Sequence, residues 1–490
     1  VKETNQHGGL CEVLHWIGGK HRHSSCSATL INTNPETDER LSIVARGTAA
    51  DVDAAVQSAA NVQPGLAALG PSSREGILLR AAEILQRDRD AWAELLIQEI
   101  GSPITKAMME IDIATRVLRA NASMVRRMTG RTYPSDVPGR MSIAIREPLG
   151  VVAGITPFNV PLIKGVKHSS LPLALGNSFV GLPSRRAPQI ADRLATLYAE
   201  AGLPDGAFNL VYGLGAEIGP ALIRHPLISA VSFTGSAAVG KQVHADCGQF
   251  QKRVTLELGG KNPIVILDDA DLEKAIPAAL KGGFIYQGQI CMASSRVIVQ
   301  RSIADAFIAA FVGAAKSLPM GDLRDRSTVI GPVIDDASRR RISATIADAR
   351  RLGAEVLCGN QWTDNRLNPT VLGCVTEQMR IAREEIFGPV VTIETVETES
   401  DAIRLANSGP AMLSAAVFTR DVDRAFTLAR SLNTGMVHLN DMTIQQEPEV
   451  PFGSDGEAGF GREGMETGVD DFTKWKWITL AGSPSHNKTQ

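Results

Sequence analysis

GVVAGITPFNVPLIKGVKHSSLPLALGNSFVGL runs from Gly150 to Leu182. GVVAGI (150–155) is a continuous apolar run, the pattern of a strand buried on both faces. The loop TPFN leads into a segment with helical character, and SFVGL (178–182) is a second apolar strand. Two such strands joined by a helix require a parallel sheet with helices packed on its faces. The alternation continues outward. PQIADRLATLYAEAG reads as a helix ending at Gly202, AFNLVYG (207–213) as a strand, 216–224 as a helix and ISAVSF (228–233) as a strand. Ligands on sheets of this kind bind beyond the carboxyl ends of the strands. TPFN and FTGSAAVG (233–240) both fall there. In the latter, Gly235 turns the chain and a helix begins near Ser236, exposing N–H groups that suit a phosphate. The Gly235–Gly240 spacing is not G-x-G-x-x-G, and a glycine turn before a packed helix explains it more simply.

A second α/β region begins near 258. DLEKAIPAALKGGFIYQGQ has helical spacing and is expected to run straight up to Cys291. SRVIVQ, GPVVTIETV, SAAVF and GMVHLN read as strands, and IADAFIAAFVGAAKSL and ASRRRISATIADARRLGAE as helices. RMSIAIREPLG (140–150) and DDFTKWKWITL (470–480) are strand-like, the latter with period-two alternation, and predict half-buried strands in a separate sheet.

At 490 residues, with 44% hydrophobic and 21% charged, the chain has material for two to four domains. A net charge near −3 gives no reason to expect nucleic acid or a membrane surface as partner. No apolar stretch is long enough to span a bilayer, and the N-terminus lacks the pattern of a signal peptide. Six cysteines without CxxC spacing suit a reducing compartment, so a cytoplasmic, bacterial-type enzyme is expected. His7, His15, His21, His23, Cys11 and Cys26 crowd the first 26 residues in no recognisable zinc spacing. We expect a solvated or frayed terminus and no metal.

YQGQICMASSR (286–296) carries Cys291 between apolar neighbours. By itself it reads as a packed thiol as readily as a nucleophile. Three further segments bear on it: TPFN with Asn159, LELGGKNP (256–263) with Glu257, and EEIFGPV (384–390) with Glu385 and Phe387. Asn159 as a helix cap and Glu257 as one half of an ion pair are the plain readings.

PFN, FTGS, LELGGK, GQICMAS, EEIFGPV and PFG…GFGREG, in this order over about three hundred residues, resemble the aldehyde dehydrogenase superfamily. The resemblance implies an α/β fold: a Rossmann-type cofactor domain (1–128 and 148–257), a catalytic domain (258–450) and oligomerisation strands (129–147 and 468–482). It implies NAD or NADP as cofactor, an aldehyde substrate and a homodimer or homotetramer. Cys291 is then the nucleophile, Asn159 the oxyanion donor and Glu257 the base that activates water. Ile155, Thr156, Pro157, Phe158, Leu182, Arg185, Gly235, Ser236, Gly240, Glu385 and Phe387 border the cofactor. Lys167 stays unassigned and Lys261 is taken as structural.

Departures from the family pattern concentrate at the cofactor. GLPSRRAP puts Leu182 where the family has lysine and Arg185 where it has glutamate. A glutamate repels a 2′-phosphate and an arginine pairs with one, so NADP is expected to be accepted. GPAM (409–412) and SDGE (454–457) are also unusual. GMVHLNDMTIQQEPEVPFG (435–453) with FTKWKWITL resembles the benzaldehyde, salicylaldehyde and vanillin dehydrogenases, with Met442, Thr443, Ile444 and Phe158 walling an aromatic substrate. The alternatives are an aliphatic or semialdehyde substrate, acyl transfer to coenzyme A, which Glu257 disfavours, a thiol esterase, and a non-enzymatic binding protein.

Overall fold

The computed structural model describes residues 10–409 and 411–481. Its first large sheet has eight strands, in the order Gly459–Phe460, Arg253–Leu258, Ile228–Gly235, Val151–Ile155, Ser178–Leu182, Phe208–Leu210, His15–Ile17 and Lys20–Arg22. The five from Arg253–Leu258 to Phe208–Leu210 are parallel, in register with the apolar runs of the sequence. All five residues of Ser178–Leu182 are buried. Burial on both faces is why these strands are continuously apolar rather than alternating. At one edge Gly459–Phe460 pairs antiparallel with Leu256 and Glu257, so a segment from far along the chain closes this sheet.

The second sheet has seven strands, from Glu355–Cys358 through Thr370–Gly373, Val390–Val396, Arg296–Gln300, Pro263–Ile266 and Ser414–Phe418 to Met436–Leu439. All its pairs are parallel except the first.

The N-terminus is not frayed from Leu10 onward: Cys11–Val13, His15–Ile17 and Lys20–Arg22 are strands. His15 is fully buried, its Nδ1 accepting from the Tyr212 amide at 3.2 Å. His21 packs edge-on to Trp16 and its Nε2 lies 2.8 Å from Asp192 Oδ1. Tertiary pairing with the main sheet orders a stretch whose composition resembles a tail; His7 lies outside the described residues. The helix before Cys291 also does not run through. It spans Leu272–Phe284 and gives way to a tight turn, Ile285–Gly288, with Tyr286 at φ 51° and Gln287 at φ 44°.

Thr473–Leu480, Met141–Pro148 and Arg131–Tyr133 form a separate antiparallel sheet. The strand Thr473–Leu480 is barer than half-buried: only Thr473 is covered, and Trp477 is 70% exposed. Residue 482 of the expected oligomerisation segment lies outside the described residues.

Candidate active site

Asn159 follows the parallel strand Val151–Ile155, and Glu257 stands near the carboxyl end of Arg253–Leu258, two strands away in the sheet. Cys291 comes from the loop between the helix Leu272–Phe284 and the strand Arg296–Gln300 of the second sheet. The site therefore forms where the carboxyl ends of the first sheet meet the second.

Asn159 is buried, and its Nδ2 donates to Gln289 O at 2.9 Å. An amide nitrogen carries two protons; one holds the cysteine loop, and the other has no acceptor among the described residues. On the far side of Cys291, Asn262 Nδ2 donates to the Cys291 carbonyl at 2.7 Å and to Ala293 O at 3.1 Å. Asn262 Oδ1 accepts from the amides of Leu413 and Ser414. Thr443 Oγ1 donates to Met292 O at 2.7 Å. The loop that carries Cys291 is thus tied down at 289, 291, 292 and 293. Asn262 lies within LELGGKNP, and a buried amide that braces a loop has no sequence signature of its own.

Burial pushes the Cys291 thiol up to about 12, with the Lys164 ammonium the strongest charge pulling it back and Glu257 and Glu385 opposing. Burial likewise pushes Glu257 up to about 8, partly offset by Lys164. Neither Glu257 oxygen has a hydrogen-bond partner among the described residues. Gly453 leaves room for this carboxyl, since a Cβ there would lie 2.5 Å from Glu257 Oε1. An unpartnered carboxyl in a dry pocket is the arrangement that makes a base near neutral pH.

A charge cluster adjoins it. Lys164 Nζ contacts both Glu463 oxygens at 2.7 and 2.8 Å, and Lys167 Nζ reaches Glu463 Oε2 at 2.8 Å. His168 Nε2 lies 3.5 Å from Glu463 and 3.0 Å from Thr234 Oγ1. Burial would raise Glu463, but the two lysines hold it well below the usual carboxylate range. Lys167 thus gains a partner. Nothing in the sequence singles out Lys164 and Glu463, since one sits within a helical pattern and the other within a glycine-rich motif. Lys261 is buried, its Nζ donating to Ser295 O at 3.2 Å.

On the cofactor side, the Thr156 amide donates to Leu182 O at 3.2 Å, joining the loop 155–158 to the next strand end. Ser236 caps the helix Ala237–Gln249, its Oγ accepting from the Val239 amide, and Gly235 ends the preceding strand. A Cβ on Gly240 would come within 2.5 Å of Leu258, so glycine lets this helix sit close to the sheet. Glu385 is half-buried and its Oε1 lacks a partner. Phe387, at φ 50°, meets Phe158 edge-on at 5.8 Å. These features fit a dinucleotide: an anion-compatible helix start, and a carboxylate free to accept from a ribose hydroxyl. Leu182 does not join them. Its side chain is 3% exposed and belongs to the apolar cluster with Val180, Val211 and Ile218, so it is a core residue rather than a ligand. Arg185 is exposed with no ion pair among the described residues, whereas Arg186 pairs with Asp335 at 2.6 Å. Of the expected substrate wall, Met442 is half-buried and Ile444 is buried, while the Thr443 hydroxyl is engaged in bracing Met292.

Residues 22–478 match the model of the aldehyde dehydrogenase family. The vanillin dehydrogenase of Pseudomonas fluorescens is 39% identical over 97% of this chain and 99% of its own. A benzaldehyde dehydrogenase [NAD(+)] of Pseudomonas putida is 36% identical over 92% of this chain and 93% of its own. The crystal structure of a salicylaldehyde dehydrogenase from Pseudomonas putida G7 complexed with salicylaldehyde superposes with a TM-score of 0.94 at 33% identity, covering 98% of this chain and all of that one. The chain belongs to the aldehyde dehydrogenase family. It is an NAD(P)-dependent oxidoreductase of aldehydes.

Proposed function

We propose that this enzyme oxidises an aromatic aldehyde to its acid through a covalent acyl intermediate on Cys291. The observation that carries the reading is the buried, unpartnered Glu257 carboxyl beside the braced Cys291 loop. The aromatic substrate is supported by the names of the relatives and by the apolar and ring surfaces of Phe158, Met442 and Ile444.

The Cys291 thiol releases its proton to water, a loss that burial opposes and the Lys164 ammonium favours; the thiolate sulfur bonds to the carbonyl carbon and the carbonyl π electrons move to oxygen. The free Asn159 N–H and the Cys291 backbone N–H receive that oxyanion; one such donor contributes roughly 2.7–4 kcal/mol in a preorganised site. A nicotinamide bound here would take the hydride from the adduct carbon as the oxyanion electrons re-form the C=O bond, leaving an acyl thioester on Cys291; Glu385, the loop 155–158 and the start of Ala237–Gln249 are the parts that would hold it. Glu257 then removes a proton from water. The hydroxide adds to the thioester, the C–S bond breaks, and the acid leaves with the thiolate restored. Comparing kcat/KM for benzaldehyde and hexanal tests the substrate class: a preference for benzaldehyde is expected, and a clear preference for hexanal would replace the aromatic reading with an aliphatic one.

The same reading assigns 1–128 with 148–257 to cofactor binding, 258–450 to catalysis, and 129–147 with 468–482 to subunit contact. Acceptance of NADP is supported by the unpaired Arg185. Arg185→Glu is expected to raise KM for NADP about tenfold or more, the value of one charge-assisted hydrogen bond, while sparing NAD. An NADP KM untouched by the change would remove this assignment. No helix among the described residues is long and apolar enough to cross a membrane. A cytoplasmic location is supported by thiols that are free at all six cysteines, and activity recovered only outside the cytoplasm would overturn it.

A further inference from the structure

One buried ion pair lies just behind the reacting groups. Lys106 and Glu110, one turn apart on the helix Ile104–Ser123, have fully buried side chains, with Nζ and Oε2 2.5 Å apart. Neither belongs to the reacting set. Lys106 Nζ also donates to the backbone carbonyl of Asn159 at 2.7 Å. Glu110 Oε1 accepts from the amides of Leu162 at 2.9 Å and Ile163 at 3.3 Å. The two side chains therefore grip the Asn159 segment before and after its turn into the helix Pro161–Ala174. Lys106 also lies over the ring of Tyr286, 4.1 Å from its centroid, and the Tyr286 hydroxyl donates to Ile100 O at 2.9 Å. Tyr286 opens the turn that leads to Gln289, the residue whose carbonyl orients the Asn159 amide.

We infer that Lys106, backed by Glu110, is a positioning residue that aims the Asn159 amide at the oxygen of the adduct on Cys291. The inference rests on the proposed role of Asn159 and adds to it what holds that side chain in place. Fixing the Asn159 carbonyl fixes the plane from which its side chain leaves. The Gln289 carbonyl then uses one amide proton, and the remaining one points in a single direction. Without the ammonium the Asn159 peptide is free to rotate, and an oxyanion donor acts only when its geometry is set before reaction. A buried ion pair is expensive to maintain, and a shaped site is one of the few things it secures that an apolar pair of equal volume does not.

The test removes the pair as a pair. Lys106→Met/Glu110→Gln leaves no unpaired charge, and the glutamine oxygen still accepts from Leu162 and Ile163. We expect kcat to fall about 10²-fold, the scale of losing one oxyanion donor. The rate of Cys291 alkylation by iodoacetamide, a displacement that forms no oxyanion, is expected to stay within about threefold, a margin well below that catalytic loss. A general structural defect would depress both rates together, and that result overturns the inference. Repeated in an Asn159→Ala background, the pair change is expected to lower kcat no further; an equal additional loss there also overturns it. Lys106→Arg keeps a cation against Glu110 and so preserves folding if the pair variant does not fold. Its wider guanidinium displaces the Asn159 carbonyl, and kcat is expected to fall with alkylation unchanged; an unaltered kcat in that variant overturns the inference. Asn159→Ala alone tests the prior reading: full activity in that variant removes the donor itself rather than what aims it.

Discussion

Glu257 carries the sharpest prediction at the scale of one residue. Replacing it with glutamine keeps the shape and removes the base. Acylation then proceeds and deacylation does not, so one equivalent of reduced cofactor forms per site in a rapid phase. Steady turnover falls by about 10²–10⁴, the usual contribution of a general base. Equal loss of both phases would deny Glu257 its role. The pH dependence follows from the same carboxyl. Its basic form predominates above about 8, so deacylation rises with pH to a half-maximum near there, and the glutamine variant is flat across that range. Stability runs the other way. The folded value lies above the ordinary 4.5, so this group's contribution to stability is complete below about 4.5 and is lost as pH rises through about 8. Unfolding midpoints of the wild type and Glu257→Gln, measured from pH 5 to 9, should diverge in favour of glutamine as pH rises. Leu182 teaches the opposite lesson at this scale: a departure from a family pattern at a ligand position proved to be a piece of the core.

Among elements, the turn Ile285–Gly288 decides where the thiol stands. Gly288 has φ 68°, and a Cβ there would lie 2.3 Å from the Gly388 carbonyl oxygen. Gly288→Ala should therefore destabilise by more than about 1 kcal/mol and slow Cys291 alkylation, read by urea unfolding and by iodoacetamide. Gly313, in the helix Arg301–Lys316 with nothing near its Cβ position, is the control: Gly313→Ala should stabilise by about 0.5–1 kcal/mol. The sequence shows this turn only as YQGQ, continuous with a helical pattern, because strain at Tyr286 and Gln287 is imposed by distant partners such as the Pro332 carbonyl. The parallel strands were legible, since burial on both faces leaves an unbroken apolar run. Gly459–Phe460 was not, because two residues carry no period. Cys291, Asn159 and Glu257 stand out in the sequence only through the motifs that carry them. Lys106 and Glu110 were not, since an i, i+4 pair of opposite charges ordinarily marks a solvated helix face.

For the whole molecule, the sheet ending in Thr473–Leu480 leaves Trp475, Trp477, Ile478 and Leu480 between 43% and 70% exposed. Successive side chains of a strand point to opposite faces, so the two tryptophans bare one face of this edge strand and Ile478 with Leu480 the other, and bare apolar surface of this extent suits association with another copy. Sedimentation should find the wild type as a dimer or tetramer and find Trp477→Asp/Leu480→Asp shifted toward monomer; an unchanged assembly would place the contact elsewhere. Connectivity has a consequence in time as well as in space. The surroundings of Glu257 are finished by Gly453, Arg462, Glu463 and the edge strand Gly459–Phe460, some two hundred residues downstream of it. A nascent chain that has already released its cysteine loop still lacks these neighbours. Until residue 463 emerges from the ribosome, an aldehyde meets a thiol with no completed site around it, so translation itself delays the onset of reactivity.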